Sequence, residues 1–96
     1  MRRLALITSL LALPMAAQAE TSICDTSGAI VQAGIDARVA GTAAPEAIKT
    51  ISAGYTGDME RYQGAVQPLV DWVYSLPEEQ LDDGVAEAYV AACLAQ

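Results

Sequence analysis

The chain has 96 residues, with twelve acidic side chains, five basic ones and no histidine. A formal net charge of −7 excludes nucleic-acid binding, which depends on basic patches that meet phosphates, and an anionic membrane surface repels such a chain. Lack of histidine rules out Ser-His-Asp and Cys-His catalysis and removes a standard metal ligand.

Arg2 and Arg3 precede an apolar run from Leu4 to Leu13, which Pro14 ends. Ala17-Gln18-Ala19 then has the small-x-small form that a signal peptidase cleaves. The run falls short of the ~20 apolar residues a membrane span needs. A removed signal over 1–19 and a mature domain over 20–96 are expected, in the periplasm or outside the cell and without membrane insertion. Cleavage leaves Arg38, Lys49 and Arg61 against all twelve carboxylates, a net charge of −9. Ile23 before Cys24 is too bulky for lipoprotein processing, so no lipid anchor is expected.

Cys24 and Cys93 are the only cysteines. In a short exported chain such a pair predicts one disulfide, here between the two ends of the domain. No CxxC and no neighbouring basic cluster favours a reactive thiolate, so the bridge reads as structural.

Residues Cys24–Gly41 predict a first helix, capped by Asp25, Thr26 or Ser27 and stopped by Gly41. Arg38 lies near its negative end. Ile30, Val31, Gly34, Ile35 and Ala37 form a broad stripe in which small residues admit a close neighbour. The stretch Asp25–Asp36 has the twelve-residue length of a calcium loop, but its glycine stands at the fourth position rather than the sixth. Pro45 opens a short second helix whose buried face is Ile48, Ile51 and Tyr55. A third helix is expected from a cap at Asp58, burying Met59, Tyr62, Val66, Leu69, Val70 and Val73, with Pro68 kinking or dividing it. Ser75 and Glu78 have capping-box spacing for a final helix with Leu81, Val85, Ala88, Tyr89 and Ala92 on one face. Asp82 offers an alternative start after a single turn. No segment shows strand alternation. The fold class is all-α: one small bundle of four to five helices, closed by a disulfide between its ends.

Glu78, Glu79, Asp82, Asp83 and Glu87 form an acidic cluster with no basic residue among them. On one continuous helix Glu79, Asp83 and Glu87 would align at i, i+4 and i+8. Trp72 and Tyr74, two positions apart on a helix, point in roughly opposite directions, so one is expected inside and the other partly exposed. An exposed aromatic beside an acidic cluster suits a protein interface. No Gly-rich phosphate loop is present, and a sugar-binding cleft for paired carboxylates is hard to build in so short a chain. No enzyme, metal site or cofactor is expected.

Cys24 before an Ala-rich helix, "APEAI", "LVDWVYSLP" and a final "AYVAACL" resemble small exported, cysteine-framed helical proteins of proteobacteria. The likeness runs over nearly all of 20–96 and implies a fold and export, not chemistry. At the level of architecture the chain is similar to periplasmic immunity proteins of type VI amidase effectors and to disulfide-bridged acid-stress chaperones of the HdeA type. The leading expectation is a non-enzymatic binding module, inhibitor-like or immunity-like, that docks a basic protein surface through its acidic cluster, Trp72 and Tyr74. The alternatives are a chaperone whose bundle loosens when acid neutralises its carboxylates, and a structural component of the envelope.

Overall fold

Gly41 ends the first helix, as expected, and the backbone shows how. Its φ is +86°, a conformation glycine adopts without steric cost. The Thr42 amide donates to the Ala37 carbonyl (2.9 Å) and the Gly41 amide to that of Arg38 (3.0 Å), so the last carbonyls are satisfied as in a Schellman motif.

The computed structural model describes residues 15–96, with side chains from residue 22 onward. The expected signal over 1–19 lies outside the described residues up to position 14. Four α-helices follow one another among the described residues: α1 (Met15–Val39), α2 (Ala44–Ala53), α3 (Gln63–Ser75) and α4 (Asp83–Leu94). Two 3-10 segments, Gly57–Tyr62 and Glu78–Gln80, precede α3 and α4. The described residues contain no strand. The Cys24–Cys93 disulfide is formed, with its Cα atoms 5.7 Å apart and a sequence separation of 69. It joins α1 to the last turn of α4. The all-α bundle closed by one bridge is therefore the fold.

Several local expectations need correction. Asp25, Thr26 and Ser27 do not cap α1, because they sit in its interior. The preceding Ala-rich stretch contains no glycine or proline to stop the helix there. Asp58 is not a cap either: it lies inside the first 3-10 segment, and α3 starts at Gln63. A 3-10 segment turns 120° per residue rather than 100°, so Met59 loses register with α3 and stays 38% exposed while Tyr62 is buried. Pro68 does not divide α3, which runs unbroken on both sides of it. The capping box at Ser75 and Glu78 is absent. Ser75 Oγ donates to the Trp72 carbonyl (2.6 Å), and it is Asp82 that caps α4, accepting from the Gly84 amide (2.9 Å).

The core has two parts. Ile30, Ala47, Tyr62, Val66 and Val70 meet where α1, α2 and α3 converge, with Ile48, Ile51 and Tyr55 packed around them. Val31, Ile35 and Val73 form the second part, covered by Leu81, Val85, Ala86 and Tyr89. Ala88 and Ala92, expected on that inner face, are exposed. Gln63 Nε2 donates to the Tyr55 carbonyl (2.7 Å) and ties the end of α2 to the start of α3. Arg38 reaches across to the end of α3, where Nη1 donates to the carbonyls of Val73 (2.8 Å) and Leu76 (2.5 Å). The cation thus serves the negative end of a second helix as well as its own.

The small residues in α1 serve two neighbours. A Cβ at Gly28 would overlap Cγ2 of Val90, so glycine is what lets α4 approach α1. A Cβ at Gly34 would sit 3.6 Å from Val73 and 3.7 Å from Val70, in ordinary contact. Gly28→Ala should therefore destabilise by about 1–3 kcal/mol through overpacking. Gly34→Ala should stabilise by about 0.5–1 kcal/mol, because alanine is the better helix former. Urea denaturation of the two variants checks the opposite signs.

Candidate functional site

α4 is an apolar helix with almost no charge beyond its first turn, Glu87 being the exception. An amphipathic helix buries one stripe; a helix apolar on most sides is built to have neighbours on most sides. Here α1 and α3 cover only part of it, and none of its residues is fully buried. Grooves flank it on both sides.

The first groove lies between α1 and α4 and has a volume of about 700 Å³. Gly28, Ala29, Ala86 and Val90 are among the small and apolar residues that line it. The close approach at Gly28 keeps it shallow. Asp25 from α1 and Asp83 and Glu87 from α4 line the same groove, and no basic residue does. All three carboxylates are exposed. Gln32 Nε2 donates to Asp36 (3.0 Å) and more weakly to Asp83 (3.4 Å), linking the start of α4 to α1. Like charges brought together on an exposed face favour any cation that approaches it.

The second groove, about 350 Å³, lies between α3 and α4. Trp72, 40% exposed, stands against Tyr89 there with ring centroids 6.0 Å apart and planes inclined by 45°. Leu76, Gln80, Val85, Ala88 and Ala92 complete an uncharged lining.

The expected site residues are thus divided. Asp83 and Glu87 share a face, joined by Asp25, which sequence reasoning assigned to a helix cap. Asp82 is engaged by the Gly84 amide. Glu78 and Glu79 lie on the second 3-10 segment, not on α4, so Glu79 is not aligned with Asp83 and Glu87 as expected; the chain changes direction before α4 starts. Trp72 opens onto the second groove. Tyr74 points elsewhere: its hydroxyl donates to the Thr42 carbonyl (2.7 Å), its ring packs on the core, and the Arg38 guanidinium lies 5.9 Å from the ring centre. Tyr74 is half-buried rather than inside, and Trp72 is the more exposed of the two. No sequence signal could have selected Asp25, because its place in the groove depends on which helix pairs with α1.

Both cysteines are in the bridge. Among the described residues no group of three or more acidic or cysteine side chains is placed to hold a metal ion, and no helix is long and apolar enough to cross a membrane. No family model, curated protein or solved structure matches the chain.

Proposed function

We propose that this protein is a non-enzymatic binding module that acts in the periplasm or outside the cell and docks a basic partner. One observation carries the reading. The α1/α4 groove joins an apolar floor to the exposed carboxylates of Asp25, Asp83 and Glu87, with no basic residue in its lining. Such a surface fits an element of a protein partner that presents a small apolar ridge flanked by lysine or arginine. The disulfide supports the compartment, since such bonds persist where the milieu is oxidising. Charges at the rim of an interface steer encounter and set partner choice more than they add affinity, which agrees with a domain whose residues 20–96 carry a charge of −9.

A helical peptide with an alanine–leucine ridge and flanking lysines is a suitable probe. It should bind the bridged protein saturably, more weakly as salt rises, and an otherwise identical peptide with glutamates should not bind. The variant Asp25→Asn/Asp83→Asn/Glu87→Gln keeps the shape of the groove and should bind the basic peptide roughly tenfold or more weakly. Equal binding by the variant, measured by titration calorimetry, would refute the docking face.

A further inference from the structure

The seat of α4 is unlike that of the other helices. α1 places Ile30, Val31 and Ile35 in the core, α2 places Ala47, and α3 places Val66, Val70 and Val73; α4 buries no residue. Among the described side chains, α4 is held along α1 by partly covered residues, the close approach at Gly28, a weak Gln32–Asp83 hydrogen bond and one covalent link at its last turn. The two cysteines of that link are not equally covered. Cys24 is 3% exposed, whereas Cys93 is partly exposed and lines, with Ile23, Cys24 and Gln96, a surface cleft of about 180 Å³.

We infer that the Cys24–Cys93 bridge is a redox clasp for α4, and that its reduction releases α4 from the α1–α3 core and dismantles the α1/α4 groove. The release stands on the packing alone; its consequence for binding rests on the docking face proposed above. The chemistry is thiol–disulfide exchange with a dithiol reductant. A thiolate of the reductant attacks Sγ of Cys93, forming a mixed disulfide and expelling the Cys24 thiolate. The second thiol of the reductant, as thiolate, attacks its own sulfur in that mixed disulfide and expels the Cys93 thiolate. The dithiol ends as a disulfide, and the protein gains two electrons and two protons as two thiols. With the link cut, α4 keeps its partly covered side chains but has no buried one to anchor it, so it opens at lower cost than the helices that carry the core. Val31, Ile35 and Val73 then lose the cover of Val85, Ala86 and Tyr89.

Amide hydrogen exchange on the full chain tests the clasp, comparing the bridged protein, the protein reduced with dithiothreitol, and the Cys24→Ser/Cys93→Ser variant. Protection over residues 87–94 of α4 should fall at least tenfold more than protection over Val66–Val73 of α3, in the reduced protein and the variant alike. An equal loss along all helices, or unchanged protection in α4, would overturn the inference. The basic peptide should bind the bridged form and lose at least tenfold in affinity for the reduced form. If α4 is released as described but the peptide binds neither form, the docking face fails and the clasp stands.

Discussion

The variant Cys24→Ala/Cys93→Ala should unfold with about 4 kcal/mol less free energy than the bridged protein. The bridge spans 69 positions in sequence, and the loop-closure entropy it removes from the unfolded chain corresponds to about 4 kcal/mol at room temperature in the chain-entropy model. That is a large share of the roughly 5–15 kcal/mol on which small domains subsist, and a domain this short has little core to compensate for it. The effect belongs chiefly to the unfolded state: the variant's denatured chain is more expanded, so its urea slope should rise as its midpoint falls. The release of α4 acts on the folded side and is read by local exchange, which keeps the two effects apart. A difference below about 1 kcal/mol would mean that native-state strain or residual unfolded structure cancels the entropic gain.

Ile30→Ala should cost about 3–4 kcal/mol, within the range measured for large-to-small changes in closed cores. Ile30 has no exposed surface and lies among Ala47, Tyr62, Val66 and Val70, which come from the other elements of the main core. The surrounding helices meet there from three directions and one of them is tied at Gln63 to the end of α2, so the space left behind closes only in part. Val39→Ala, on the same helix but 67% exposed, is the control and should change stability by less than about 0.5 kcal/mol. Thermal unfolding separates them, since a loss of this size lowers the midpoint of a small domain by roughly 12 °C or more. Similar midpoints for the two variants would place the stabilising core elsewhere.

The linear chain determined its own helical character, and three of its signals act through neighbours in sequence alone. Gly41 stops α1 because only glycine enters that backbone region freely. Pro45 opens α2 because its missing amide is not needed there. Val66, Val70 and Val73 line one face of α3 because helical geometry places residues three and four apart side by side. The bridge was legible too, since two cysteines in so short a chain leave one pairing. That Asp25, Thr26 and Ser27 lie inside α1, and that 3-10 segments precede α3 and α4, depends on small differences in backbone energy that packing overrides.

The candidate site belongs to the tertiary structure almost entirely. Asp25 joins Asp83 and Glu87 only because α4 packs on α1, and α4 packs so closely only because Gly28 leaves room for Val90. Arg38 ends a helix to which it does not belong. Trp72 and Tyr74 part company because α4 lies on one side of α3 and the Thr42 carbonyl on the other. Periodicity within a helix says which residues share a face; it carries no information on which other helix that face will meet. That choice is made by shape and burial across the whole bundle, and here it assembled an acidic groove from two distant stretches of chain.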